Sequence, residues 1–236
     1  MPNYGQELDK DGQTPWILTK DGLKITGNIE LEQHYVVASQ YFKIALEQLR
    51  RSESPVDRTG RRHAGLLCCL TSLIGLEAFT NTAFEVYASE RGLSDLRLMI
   101  VSTEAKGTRF RLGQAMKLAE LKRSPKFDRA FNELKEIEKL RTQIVHPKWS
   151  ESSFNLPNIA INDLVENPHR IFDDPNCAQA CFYWCMVLVA EVGVSFGVSD
   201  TKAFLFHWAG MFDHEIPSSI PSIDTWVKTT PTAPPP

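Results

Sequence analysis

Apolar residues recur at three- and four-residue spacing along most of the chain, the pattern of helices with one buried face. From about Ile29 to Arg51 the positions Leu31, Tyr35, Ala38, Phe42, Ala45 and Leu49 share a face. Ser52 to Gly60, with Pro55, reads as a loop. A second stripe, Leu66, Leu70, Leu73 and Ile74, continues through Glu77 and Asn81 to Phe84. It predicts a long helix from about Arg61 to Arg91, with Gly92 as the residue just past its end. Ser94 or Asp95 can cap a further segment to about Glu104, Lys106 and Gly107 interrupt it, and Thr108 to about Leu121 is helical again. From about Lys126 a helix carries Leu134, Ile137, Ile144 and Val145 on its apolar side.

Farther on, Asp173 or Asp174 caps a helix with Pro175 near its first turn, running to about Val198 and almost wholly apolar from Ala178 onward, with Glu191 as its one charge. A short helix between Asp200 and Asp213 presents Phe204, Leu205, Trp208 and Met211. Strand-like pattern is confined to two places. Trp16 to Thr19 and Leu23 to Thr26 flank a turn near Lys20-Asp21-Gly22, predicting a small hairpin. Ile159-Ala160-Ile161, inside the long connection Lys148 to Asp174, alternates as a short strand would. The expected fold is an all-α bundle of four core helices plus one or two shorter ones. Its organisation is an N-terminal extension over 1–29, a helical domain over 30–214 and a Pro-rich disordered tail over 215–236.

At 236 residues the chain can bury a sizeable core as one domain. A formal charge of −3 argues against a protein that coats nucleic acid non-specifically, while leaving room for a local cleft. No charged run followed by an apolar one opens the chain, and the five cysteines lack C-x2-C pairing, so a cytoplasmic protein with reduced thiols is expected. The stretch from Ala178 is long enough to span a bilayer. Gln179, Glu191, three cysteines and the absence of a basic flank favour the middle of a bundle instead, with no membrane association. Cys177, Cys181 and Cys185 at i, i+4 and i+8 form a row of small residues that lets helices approach, and neither a metal nor a cofactor is expected. His207 and His214 read as ordinary surface or packing histidines.

The chemistry-bearing stretch is Leu140-Arg141-Thr142-Gln143-Ile144-Val145-His146-Pro147. Pro147 ends the helix, because its ring disfavours the α conformation at His146 and it has no N–H for the ladder. His146 is thereby expected at a helix C-terminus, where the last carbonyls favour an imidazolium. Arg141 lies about 7.5 Å and about 140° away in ideal geometry, so its long side chain or a second chain is needed to complete a site with the histidine. Arg141 falls within the apolar stripe of this helix, and a guanidinium on a buried face needs an acidic partner or a bound anion. Glu77 is the expected partner, with Asn81 one turn on satisfying further donors.

The Glu77-Ala78-Phe79-x-Asn81 helix together with a later Arg-x4-His-Pro (Arg141, His146, Pro147) resembles the HEPN family, the higher eukaryotes and prokaryotes nucleotide-binding domains. The resemblance spans roughly residues 30 to 198. It implies a small helical bundle, often a homodimer, and in many members a metal-independent RNase acting as a toxin or antiviral defence effector, with an antitoxin or defence partner. It further implies that the motifs of two protomers form one cleft, in which Arg141 holds the scissile phosphate and His146 transfers protons. Glu77, Asn81 and Thr142 would support that pair. Where active members commonly carry Asn, Asp or His after the arginine, this chain has Thr142, which reaches less far and presents a single hydroxyl.

Between Lys106 and Arg129 eight basic residues stand against two acidic ones. Arg109, Arg111, Lys122 and Arg123, with Lys148 beyond the motif, are therefore candidate RNA contacts, although such charge runs are more often solvated helix faces. Two functions of different class follow. One is an endoribonuclease leaving a 2′,3′-cyclic phosphate; the other is a non-catalytic dimerisation module that binds RNA or a nucleotide, with Glu77 and Arg141 as a buried structural pair.

Overall fold

A computed structural model describes residues 16–19, 22–25, 29–54, 57–102, 106–145, 168–211 and 213–227. Four long helices form the body: α1 (Ile29–Glu53), α2 (Arg58–Arg91), α5 (Pro125–Val145) and α6 (Pro175–Ser195). Shorter helices α3 (Ser94–Ser102), α4 (Thr108–Leu118), α7 (Thr201–Ala209) and α8 (Asp224–Val227) fill the sides and ends. The molecule is thus an all-helical bundle. Its minor β element is an antiparallel hairpin of β1 (Trp16–Thr19) and β2 (Gly22–Ile25), with Trp16 opposite Ile25 and Thr19 opposite Gly22. The segment around Ile159-Ala160-Ile161 lies outside the described residues.

Helix α2 is the axis of the fold, packing against α1 and α6 and also against α3, α4 and a 3-10 turn at Pro168–Asp173. Its ends are set by local chemistry. Asp57 accepts a hydrogen bond from the amide of Gly60 at 2.7 Å, and Gly92 closes the helix at φ +66°, a conformation that favours a residue without Cβ. The buried face of α2 is made of small residues: Cys68, Cys69, Ser72, Gly75 and Ala83 alternate with Leu76 and Phe79. Of the face expected from apolar spacing, Leu73 and Phe84 are buried, Leu66 and Leu70 are half-buried, and Ile74 is exposed. Ser72 and Thr80 enter the core because each hydroxyl donates to a carbonyl of its own helix, Cys68 and Leu76, both at 2.7 Å. Gly75 lets α1 approach, since a Cβ there would stand 2.9 Å from the ring of Phe42.

Helix α6 is buried over most of its length and circumference, as its composition requires, with Asn176 and Val194 exposed near its ends. It and α2 are each long and apolar enough to cross a membrane, and both are largely covered by neighbouring helices. The one acidic residue of α6, Glu191, is kept by partners at the start of α5: Ser124, just before the helix, donates to it at 2.6 Å and the Lys126 ammonium in the first turn lies 3.7 Å away. All five cysteines are buried and free, and burial raises the thiols of Cys68 and Cys185 well above the ordinary range. Hydrogen bonding with Cys177 and Cys69, together with burial, does the same for Cys181. The 3-10 turn is clamped to α2 by Asp173, which accepts from Arg58 at 2.8 Å and from Arg62 at 3.0 Å. Burial would raise the Asp173 carboxyl, but these two guanidinium groups outweigh it and hold it below the usual value.

The expected disordered tail from residue 215 is corrected over its first half. Ile220 and Ile223 are buried, the indole of Trp184 donates to the Pro221 carbonyl at 2.8 Å, and the Ile223 amide donates to Glu133 at 2.8 Å. Trp226, in α8, donates to Asp174 at 3.1 Å. Prolines here permit an extended course along the bundle, and two isoleucines and a tryptophan supply the area that holds it. Residues 228–236 lie outside the described part.

Candidate functional site

Helix α5 begins where Ser124 caps it, the hydroxyl accepting from the Phe127 amide at 2.9 Å, with Pro125 in the first turn. Its buried stripe is Phe127, Ala130, Leu134, Ile137, Leu140 and Ile144. Leu140 therefore takes the place assigned to Arg141, which stands about 100° farther round the helix. Arg141, Thr142 and Gln143 are all exposed, as is Val145. No acidic side chain among the described residues pairs with Arg141. The Thr142 hydroxyl donates back to the Glu138 carbonyl at 2.9 Å. His146 and Lys148 lie outside the described residues.

Glu77 does meet an arginine, but it is Arg111 of α4 and not Arg141. The Arg111 guanidinium pairs with Glu77 and donates to the Asn81 side chain at 2.9 Å, and Arg111 is only 3% exposed. Glu77 and Asn81, one turn apart on α2, thus form a two-sided receptor for a buried cation, as their spacing suggested, with the other partner. The Thr108 hydroxyl lies 3.5 Å from the second Glu77 oxygen. Arg111 is accordingly removed from the RNA-contact candidates: its charge is satisfied inside the protein. The signal was present, because Thr108, Arg111, Leu112, Ala115 and Met116 follow i, i+3, i+4, i+7, i+8 and Arg111 sits inside that stripe.

The rest of the basic run divides. Lys126 faces Glu191, and the Arg129 guanidinium lies over the Trp184 ring at 4.9 Å. Lys122 is exposed, its carbonyl accepting from Ser195 at 3.0 Å. Arg109 and Arg123 converge on one ring: their guanidinium carbons are 4.6 Å and 5.0 Å from the centroid of Phe131. Each is also tied to backbone, Arg109 to the Phe131 carbonyl and Arg123 to the Gly113 carbonyl, both at 3.2 Å. Between α4 and the first half of α5 these residues, with Phe110, Gln114 and Lys117, line an open groove of about 480 Å³. Its described lining contains no acidic residue.

The N-terminus of α4, beside this groove, is already occupied. Gly107 at the cap position offers no side chain, and Glu138 of α5 supplies the acceptor, taking the Arg109 amide at 2.8 Å. The carboxylate answers both the unpaired amide and the positive end of the helix dipole. Sequence reasoning named Arg109 and Arg123 and counted Lys117 in the same basic run, but missed Phe110, Gln114 and Phe131 as their companions. Phe110, between two arginines, was the available signal.

The fold and these two features define a helical-bundle protein with an exposed arginine at the end of one core helix and a separate basic, aromatic groove. No family model, curated protein or solved structure matches the chain.

Proposed function

We propose that the protein acts on RNA as a metal-independent endoribonuclease of the HEPN type, cytoplasmic and with its site completed by a second copy of the chain. The observation that carries this reading is the exposed Arg141 at the end of α5, whose charge no described acidic group neutralises. A buried arginine paired with Glu77 would have made the motif architectural; Arg111 occupies that role. Cleavage without a metal requires a base for the ribose 2′-hydroxyl, an acid for the departing 5′-oxygen and positive charge at the phosphoryl oxygens. Two copies of Arg141 and His146 satisfy all three: one histidine takes the 2′-hydroxyl proton, the 2′-oxygen displaces the 5′-oxygen at phosphorus, and the other histidine protonates the leaving group. The product is a 2′,3′-cyclic phosphate.

The test is incubation with single-stranded and structured RNAs in excess chelator. Wild-type protein is expected to leave cyclic-phosphate ends, and Arg141→Ala and His146→Ala to lose cleavage by about 100-fold or more. Because Arg141 is exposed, Arg141→Ala should unfold within about 0.5 kcal/mol of wild type. Unchanged cleavage in Arg141→Ala would reject the site.

A second reading, a non-catalytic dimerisation and RNA- or nucleotide-binding module, is favoured by Thr142. Its hydroxyl is committed to the Glu138 carbonyl, and no longer polar group follows the arginine. No cleavage by wild-type protein, with RNA still bound, selects it.

A further inference from the structure

The α4–α5 groove is separate from the Arg141 end of α5, and nothing in the proposed chemistry uses it. We infer that it binds an unpaired segment of nucleic acid, with bases stacked against Phe110 and the Phe131–guanidinium layer and phosphates held by Arg109, Lys117 and Arg123. This deepens the reading of the protein as one that acts on RNA.

Four observations converge. Phe110 is 46% exposed in a groove wall, so nearly half of a large aromatic residue is left open to a ligand there. Phe131 already carries two guanidinium planes, so Arg109 and Arg123 are fixed in place before any ligand arrives. Each arginine has one donor tied to a backbone carbonyl, which leaves most of its five N–H groups for a ligand. Three cations face the groove with no described carboxylate among its lining, so a polyanion is complementary to it.

Cations interleaved with aromatic faces are what a single strand requires, because every base offers a π-face once unstacked from a duplex. A duplex would present phosphates alone and leave Phe110 unused. A lone phosphate at the α4 N-terminus is disfavoured, since Glu138 fills that position. Phe131 and Arg141 are both on α5, separated by about 15 Å along the axis and about 80° around it. A strand lying in the groove can therefore continue toward Arg141.

The experiment measures binding of fluorescein-labelled 12-nucleotide single-stranded RNA, single-stranded DNA and duplex RNA to full-length protein carrying Arg141→Ala, which prevents loss of the probe by cleavage. Phe110→Ala and Lys117→Gln are added to that background. Both residues are exposed, so folding is preserved, and circular dichroism and thermal unfolding check this. Single strands are expected to bind more tightly than duplex, and Phe110→Ala to weaken single-strand binding about tenfold. Lys117→Gln should reduce the slope of log affinity against log salt by about 0.7. The DNA arm identifies whether the 2′-hydroxyl contributes.

Preference for duplex, no binding of either single strand, or Phe110→Ala binding within twofold of its parent would overturn the groove assignment. Its fate is independent of the cleavage reading. A wild type that does not cleave while the groove variants lose binding keeps the groove and removes the RNase. Cleavage by protein whose groove variants bind normally does the reverse.

Discussion

Arg111 and Arg141 are the same residue type on neighbouring helices with opposite fates, and the difference is rotational. Arg111 falls inside the apolar stripe of α4 and is enclosed by Glu77 and Asn81. Arg141 falls one position past Leu140 and faces out. Removing the buried guanidinium strands an acid and an amide that were built around it. Arg111→Ala is therefore expected to lower unfolding free energy by about 2–4 kcal/mol, reduced from the full cost of breaking a buried pair because Glu77 is partly solvated. Chemical denaturation measures it. A loss below about 1 kcal/mol would mean that the Glu77–Arg111–Asn81 set contributes little to the fold. The thiols and His207 follow the opposite rule from an active centre: burial keeps Cys68 and Cys185 protonated and pushes the His207 imidazole down to about 3.

At the scale of elements, close approach decides which helices touch. Gly193 of α6 lies against Phe204 of α7, and a Cβ added there would stand 2.6 Å from that ring. Phe204 is itself wedged among Phe79, Phe196 and Trp208, with ring centroids 6.1–6.3 Å from it, so it has little freedom to retreat. Gly193→Ala should destabilise by about 1–3 kcal/mol although alanine is the better helix former. A stabilised Gly193→Ala protein in thermal unfolding would show that α7 can shift away. Helix positions were legible in the sequence because periodicity and caps are local: Asp174, Asp200 and Gly92 all sit where the pattern put them. The buried face of α2 was legible at Leu73 and Phe84 but not at Cys68, Ser72 or Gly75, since small and hydroxyl-bearing residues score as neutral until a neighbouring helix covers them.

For the whole molecule, the chain after α7 returns across the bundle and joins α5 to the start of α6. Ile223 bonds to Glu133 on α5, while Trp226 bonds to Asp174, the cap of α6. Truncation after residue 215 should then expose Trp184 and remove two buried isoleucines, lowering stability by about 2–4 kcal/mol after allowance for the ordering of the segment. Comparison of the melting temperatures of full and truncated chains checks this, and equal values would make the segment an ornament of the surface. Glu133, which anchors this strap, stands about 160° around α5 from Phe131 of the groove, so single-strand binding by the truncated chain should follow its folding and not a separate loss of contacts.

The sequence by itself determined the helical class, the order of the long helices, their caps and the small hairpin, because those depend on residues within a few positions of one another. It also marked Arg141, Glu77, Asn81 and the basic run as positions with chemistry to explain. Only the tertiary structure decided that Glu77 belongs to Arg111, that Arg141 is left exposed, that Arg109 and Arg123 meet on Phe131, and that Ile220 and Ile223 are buried. Each of these turns on how a helix is rotated about its axis or on a partner 30 to 90 residues away, and a local hydrophobic pattern constrains neither.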